Sequence, residues 1–237
     1  MQNRRQFIGA TALASIPAAL ALGEGFSYAQ GSAAAQTSAD DTAARVLSQI
    51  ARENARAYND GKRSGIRGEH FRVAAANLRL FAALNLDDQL RRATRQQVRA
   101  HGGDAEAVAR HLDRSRLQRE LRQAGAAISA AELDRMLLQF QPTQKTIAEA
   151  TSPGFSASAH LLALAELLDK DSLTASRVET GPYRRVAALV DCQKYAYEIN
   201  MVAYLVAILC LSGNVPGCAA GATSLALLQS AMYAAGC

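Results

Sequence analysis

The chain has 237 residues, of which 49% are hydrophobic and 20% charged, a composition that indicates a folded protein and excludes a disordered tail. Only 5 prolines and 16 glycines are present, so turns are few, which argues against an all-β sandwich or barrel. The 26 basic residues exceed the 21 acidic ones by five, a mild excess that does not indicate nucleic-acid binding.

The N-terminus has the features of an export signal in the expected order. Arg4 and Arg5 are followed by one residue and then by Phe7, which resembles the twin-arginine (Tat) signal. The apolar run 8–22 that follows is too short and too weakly apolar to form a stable membrane span. We therefore expect the Tat translocase to be a partner during export, and the mature chain to be periplasmic or secreted.

Small residues after the apolar run offer two cleavage sites, one at 27–29 and one at 33–35. Cleavage at the first site predicts a signal peptide over residues 1–29. The segment 30–39 is rich in Ser, Ala, Gln and Gly, a composition typical of a flexible linker.

Apolar residues recur at helical spacing from 40 to 190, which predicts a helical domain over this range. The first predicted helix, 43–58, ends at the Asn-Asp-Gly sequence 59–61. The second carries one apolar stripe, formed by Phe71, Ala74, Leu78 and Phe81.

Further helices are predicted from caps and breakers. Two aspartates at 87–88 begin an arginine-rich helix that stops at the glycine pair 102–103. Ser129 and Glu132 form a capping box before another apolar run. The remaining predicted helices cover 104–112, 116–124 and 156–168.

Arginines are concentrated between residues 87 and 122, where six acidic residues are interleaved with them. The nine arginines are Arg91, Arg92, Arg95, Arg99, Arg110, Arg114, Arg116, Arg119 and Arg122. A nucleic-acid groove would have fewer acids and some aromatic residues for stacking, so we expect no nucleic-acid partner. A solvated helix face is the favoured interpretation, and contact with anionic lipid or an acidic partner stays open.

No recognisable catalytic or metal-binding arrangement is present in the sequence. The histidines His70, His101, His111 and His160 do not form an HExxH motif or another known ligand spacing. There is no G-x-S-x-G elbow and no glycine-rich phosphate loop. We therefore expect a non-enzymatic protein without a cofactor or metal.

The composition changes abruptly near the C-terminus. No charged side chain occurs in the 39 residues after Glu198, and the cysteines are Cys192, Cys210, Cys218 and Cys237. None lies in a C-x-x-C pair, and an even number of cysteines in an exported chain indicates disulfides. Four cysteines allow three pairings.

Helix geometry selects one pairing. Cys192 and Cys210 are 18 residues apart, about five helical turns, so one helix would separate them by about 27 Å, too far for a disulfide. A turn at 211–217 leads into a second helix of similar length, from Cys218 to Cys237. Antiparallel helices then pair Cys210 with Cys218 and Cys192 with Cys237.

The expected fold is therefore all-α: a helical, bundle-like domain over 40–190, followed by a disulfide-stapled antiparallel helical hairpin over 191–237. Two interpretations of the hairpin stay open. Its lack of charge is explained by burial as the core of one helical bundle. Alternatively, it is a semi-autonomous apolar module whose helices are about as long as the 30 Å bilayer core is thick.

The layout resembles microhalocin-type bacteriocin precursors. The likeness lies in the Tat signal, the long helical middle region and the cysteine-containing C-terminus, including the stretch Cys210–Cys218 and the terminal Ala-Ala-Gly-Cys237. The resemblance implies that the C-terminal module acts on membranes after cleavage near Gly181-Pro182. The alternative is a helical accessory or interaction subunit for a larger periplasmic protein, similar in gross features to Tat-exported accessory subunits of periplasmic dehydrogenases.

Overall fold

The computed structural model describes residues 32–104, 107–108, 114–139, 143–179 and 192–235. Within them the chain forms nine helices and no strand, which confirms the all-α prediction. The helices are α1 (Ser32–Ser64), α2 (Gly68–Ala83), α3 (Asp87–Ala100), α4 (Arg114–Gln123), α5 (Ala130–Gln139), α6 (Gln144–Ala150), α7 (Ala157–Glu179), α8 (Cys192–Leu211) and α9 (Val215–Ala235). The predicted signal peptide, with Arg4, Arg5 and Phe7, lies outside the described residues.

Helix α1 is longer than predicted at both ends. It begins at Ser32, inside the segment 30–39 that was expected to be a linker, and it runs through 59–61 to Ser64. Tertiary contacts explain the second difference. The Asn59 side chain donates to the carbonyl of Gly125 and accepts from the amide of Ala127, both at 2.7 Å, instead of bonding the backbone of its own turn.

Helix α2 confirms the predicted apolar stripe. Phe71, Ala74, Leu78 and Phe81 are all buried, and α2 packs along much of α7. In α7 the side chains of Leu161, Leu164 and Leu168 are also buried, and they are likewise spaced at helical intervals. Helices α2 and α7 therefore pack against each other within the predicted domain.

The capping box predicted before α5 is present. The Ser129 amide donates to Glu132 Oε2 at 2.7 Å, and the Glu132 amide donates to Ser129 Oγ at 3.2 Å. Partial burial opposes ionisation of Glu132, but hydrogen bonds from Lys62 and Ser129 outweigh it and hold the pKa at about 2. Of the helix predicted over 104–112, the structure describes Asp104, which is not helical, and residues 107–108, which are.

Residues Ser38–Cys237 form one compact unit, which contains both the predicted helical domain and the predicted hairpin. Helix α8 contacts α3, α6 and α7, and α9 contacts α2, α4 and α5. The two hairpin helices therefore lie between two groups of amphipathic helices. This central position places α8 and α9 in the hydrophobic core.

Candidate functional site

A disulfide joins the two helices of the hairpin at their turn. Cys210 lies near the end of α8 and Cys218 in the first turns of α9, and their Cα atoms are 4.6 Å apart. Both cysteines are buried. The turn-proximal pairing predicted from helix geometry is therefore confirmed.

The turn itself is tighter than predicted. Gly213 has φ +83°, and the amide of Asn214 donates to the carbonyl of Leu209 at 3.1 Å, which is the backbone pattern of a Schellman motif. The Asn214 side chain accepts from the amide of Gly217 at 2.8 Å and so caps α9. Helix α9 consequently begins at Val215, not at Cys218.

The outer end of the hairpin is described in part. Cys192, the first residue of α8, takes part in a disulfide. Its predicted partner, Cys237, lies outside the described residues, as does the Gly181-Pro182 cleavage site. The Cys192–Cys237 pairing stays a prediction.

Burial distinguishes the two interpretations of the apolar hairpin. Helix α8 is long and apolar enough to cross a membrane, with a mean hydropathy of 1.3, but 72% of that span is buried inside the protein. In α9 the side chains of Ala220, Leu227 and Leu228 are also buried. The hairpin is thus packed as the core of the helical bundle.

The two hairpin helices approach each other closely at one glycine. A methyl group added to Gly221 would lie 2.4 Å from Val206 Cγ2, well inside van der Waals contact. Val206 is β-branched and has little rotameric freedom in a helix, so it cannot turn away. The absence of a side chain at Gly221 therefore permits the close packing of the two helix backbones.

A buried polar chain fixes α9 against the N-terminal helices. Asn77 donates to Asn54 Oδ1 at 2.8 Å, and Asn54 donates to Ser224 Oγ at 2.9 Å. The Ser224 hydroxyl in turn donates to the Ala220 carbonyl at 2.8 Å. Because a buried polar group is costly when unpaired, this chain favours a single register of α1, α2 and α9.

A cluster of titratable groups around His160 joins α6, α7 and α8. His160 Nδ1 lies 2.9 Å from Glu198 Oε2, and His160 Nε2 lies 3.3 Å from Glu149 Oε1. The imidazole stacks on Phe155 with ring centroids 5.4 Å apart, and the Tyr197 hydroxyl donates to the other oxygen of Glu149. Each ring nitrogen thus faces a carboxylate from a different helix.

The electrostatics of this cluster favour the protonated histidine. The hydrogen bond to Glu198 is the main cause that raises the pKa of His160, and Glu149 adds to it against the opposing effect of burial. Burial, followed by the contact with Glu149, raises the pKa of Tyr197 to about 12. The cluster therefore places the imidazole between two carboxylates, which stabilise its protonated form, and this arrangement links three helices.

A second cluster, formed by Asp60, Glu69 and His70, has oxygen and nitrogen atoms close enough to surround a metal ion. Here the amide of Arg67 donates to His70 Nδ1 at 2.9 Å, so the ring hydrogen is on Nε2, which lies 3.1 Å from Asp60 Oδ2. The hydrogen bond from His70 lowers the pKa of Asp60. Both ring nitrogens of His70 are thus engaged: Nδ1 caps the start of α2, and Nε2 joins it to the end of α1.

The arginine-rich region divides between paired and exposed side chains. Arg91 pairs with Asp88, Arg114 with Asp134 and Arg119 with Glu120. Other arginines are exposed on α3 and α4, namely Arg92, Arg95, Arg99 and Arg122. Arg110 lies outside the described residues.

Comparison with known proteins adds no relative: no family model matches the chain, and no curated protein or solved structure matches it either. The function is therefore argued from the arrangement of the chain's own residues.

The residues that the sequence analysis left without a role are mainly those of the His160 cluster. His160 is 38 positions from Glu198, and neither motif nor periodicity connects them. The sequence contains one indication of this cluster: Glu198 is the last charged residue before an uncharged segment. A carboxylate that enters a core needs a cationic or hydrogen-bonding partner, and histidine provides one here.

Proposed function

We propose that this chain is an exported, non-enzymatic helical interaction protein that acts as an accessory subunit for a larger partner outside the cytoplasm. The observation that carries the proposal is the burial of the hairpin. Because α8 and α9 form the core, their apolar surface is already used within the protein. The outside of α3 and α4 is polar and rich in arginine, which is suited to recognition of a polar partner.

The disulfide supports the exported location. Disulfides persist in oxidising compartments and are rare in the cytosol, so the buried Cys210–Cys218 bond is compatible with a periplasmic or secreted protein. The signal formed by Arg4, Arg5 and Phe7 provides the route. The Tat pathway exports folded proteins, so the buried hairpin would be packed before translocation.

The export route is tested by replacing both signal arginines, as Arg4→Lys and Arg5→Lys. The double variant should stay in the cytoplasm at full precursor mass, because lysine keeps the charge but lacks the planar guanidinium group. Each single variant is a control for the need for the pair. Export of the double variant at the normal rate would show that the Tat assignment is wrong.

The accessory role is tested on protein recovered from the exported fraction of its host. Intact-mass analysis should find one mature chain that retains residues 192–237, and size-exclusion chromatography should recover it with a larger protein. A chain cut near Gly181-Pro182 and recovered without its C-terminus would contradict the proposal. Elution of the intact chain alone, at the volume of a monomer, would also count against it.

The membrane-active alternative has one observation in its favour. Helix α8 has the length and hydropathy of a membrane span, and its end near the turn is stapled to α9. Membrane action would require the hairpin to leave the core in which 72% of the span is buried. Dye release from vesicles of zwitterionic and anionic lipid separates the two: the intact protein should release no dye if it is an accessory subunit, and rapid release would favour a bacteriocin-like role.

A further inference from the structure

An arginine-lined groove lies between α3 and the segment that joins α6 to α7. Its volume is about 310 Å³, at the lower end of the range for ligand-binding pockets. Arg91, Arg95 and Arg99 line one side, together with Thr94, and the hydroxyl residues Thr151 and Ser152 line the other. The Thr151 hydroxyl donates to the carbonyls of Ile147 and Ala148, so the donors left for an anion are the guanidinium groups and the Ser152 hydroxyl.

The three arginines form a regular row. They are spaced four residues apart on α3, so successive Cα atoms are about 6 Å apart and the row is about 12 Å long. Arg91 anchors one end, because it donates to the Phe155 carbonyl at 3.0 Å and pairs with Asp88 at 2.5 Å. Arg95 and Arg99 are exposed, and within the described residues neither of them forms an ion pair.

The acidic groups near the groove already have partners: Asp88 pairs with Arg91, and Asp87 and Glu149 bond residues outside the groove. Asp87 accepts from Ser156 Oγ at 2.6 Å and from the Ser158 amide at 3.0 Å, which caps α7. Hydrogen bonds to these serines lower the pKa of Asp87 even though burial opposes this. Glu149, at the end of α6, is directed to His160 and Tyr197. The free charge at the groove is therefore positive.

We propose that this groove binds an extended acidic segment of a partner protein, an inference that rests on the proposed interaction function and specifies its surface. Alternate residues of an extended chain point to the same side and are about 6.8 Å apart. That repeat is close to the spacing of the arginines on α3, so carboxylates at every second position meet successive guanidinium groups. Arginine binds carboxylates through two parallel hydrogen bonds, and the half-buried Ser152 offers its hydroxyl to the peptide backbone.

A peptide chain fits this groove better than a membrane does. The wall formed by Thr151, Ser152 and Pro153 makes the row of arginines one side of a cleft instead of a flat face. Lipid headgroups approach a flat or convex surface, whereas a single extended chain can lie along a cleft. The length of the row corresponds to roughly four residues of extended chain.

The test uses the intact mature protein and two labelled peptides of about eight residues with identical composition. One peptide has aspartate at alternate positions, and the other has its aspartates in one contiguous block. Fluorescence anisotropy at physiological salt should show tighter binding of the alternating peptide. Removing both free guanidinium groups, as Arg95→Gln with Arg99→Gln, should weaken that binding about tenfold or more, as expected for loss of charge-assisted hydrogen bonds.

A matched control removes the same charge outside the groove, as Arg92→Gln with Arg122→Gln. This variant should bind the alternating peptide within about twofold of the unmodified protein, because charges that make no contact contribute only screened attraction. Equal binding of the two peptides, or equal weakening by the two double variants, would overturn the proposal in favour of general charge attraction. Binding of anionic lipid vesicles that depends on Arg95 and Arg99, without peptide binding, would overturn it in favour of a membrane contact.

The experiment separates this inference from the proposed function. If the Arg95→Gln, Arg99→Gln protein still copurifies with its larger partner at the normal ratio, the groove assignment is wrong and the accessory role stands. If the unmodified protein has no partner, the accessory role is wrong whatever the peptides do.

Discussion

The hairpin of α8 and α9 and the helix α3 are both regular helices, yet they differ in almost every chemical property. Helix α9 has no charged side chain, and its residues from Ala220 to Leu228 are buried throughout. Helix α3 has six charged side chains in 14 residues and buries only Leu90 and Thr94. One element provides the interior of the protein, and the other provides part of its surface.

The comparison explains how an apolar C-terminal segment is accommodated. A helix that is apolar on all sides must be enclosed on all sides, in a protein core or in a membrane. Here α2, α4 and α5 contact α9, as α1 does through Asn54, while α3, α6 and α7 contact α8. The amphipathic helices are therefore needed to cover the hairpin, and the hairpin is needed to give them a core.

Removal of a buried side chain inside the hairpin should have the largest effect on stability. Ile208 is fully buried, so Ile208→Ala should lower the free energy of unfolding by about 2–5 kcal/mol through lost burial and a residual cavity. Urea denaturation followed by circular dichroism measures it. Leu162→Ala, at an exposed position on α7, is the control and should change stability by less than about 0.5 kcal/mol. Similar values for the two variants would contradict the central position of α8.

Removal of the Cys210–Cys218 disulfide should have the next largest effect on the free energy of unfolding. Cys210→Ala with Cys218→Ala removes a cross-link between residues eight positions apart, which should cost about 2.5 kcal/mol in the chain-entropy model. The unfolding midpoint in urea is the readout, measured without reductant. An unchanged midpoint would show that the Schellman turn and the Asn214 cap hold the hairpin by themselves.

Filling the close contact between the hairpin helices should cost about 1–3 kcal/mol. Gly221→Ala places a methyl group against Val206 Cγ2, where overpacking forces the helices apart. Gly154→Ala is the matched control, since no atom lies within 4 Å of its added methyl group. The double change Gly221→Ala with Val206→Ala should recover part of the lost stability, and no recovery would mean that the contact is not the cause.

The pH dependence of the free energy of unfolding tests the His160 cluster, where charged side chains border the core. Because the folded pKa of His160 is raised above 6.5, its contribution is fully present below the unfolded value and is lost as pH rises through the folded pKa. His160→Gln should remove this part of the pH dependence in urea titrations between pH 5 and 9. The other charged groups at this position are Glu149, Glu198 and Lys145, with Tyr197. An identical pH profile in the variant would show that His160 does not titrate in this range.

The smallest effect is expected on α3. Arg99→Gln should change the free energy of unfolding by less than about 0.5 kcal/mol, because the side chain is exposed and forms no ion pair among the described residues. The same urea experiment measures it. A loss above about 1 kcal/mol would mean that the arginine face has a structural role and is not a free surface.

Much of the hairpin could be predicted from the sequence because its determinants are local. Cys210 and Cys218 are separated by a short segment with turn-forming residues, so helix geometry alone selects their pairing. The sequence predicts that α9 starts at Cys218, whereas it starts at Val215, because the Asn214 side chain caps the helix. The end of α1 was misplaced because Asn59 bonds residues 66 and 68 positions away.

Local sequence is sufficient to predict the helical class, the apolar stripe of α2, the capping box before α5 and the Cys210–Cys218 disulfide, since each depends on periodicity or on groups a few residues apart. Three other features appear only in the folded protein. The apolar hairpin is enclosed, and His160 lies between Glu149 and Glu198. The third feature is the groove that Arg91, Arg95 and Arg99 border. These features depend on which helices become neighbours. Which helices become neighbours depends on the packing of whole helix faces, and a short stretch of sequence does not encode it.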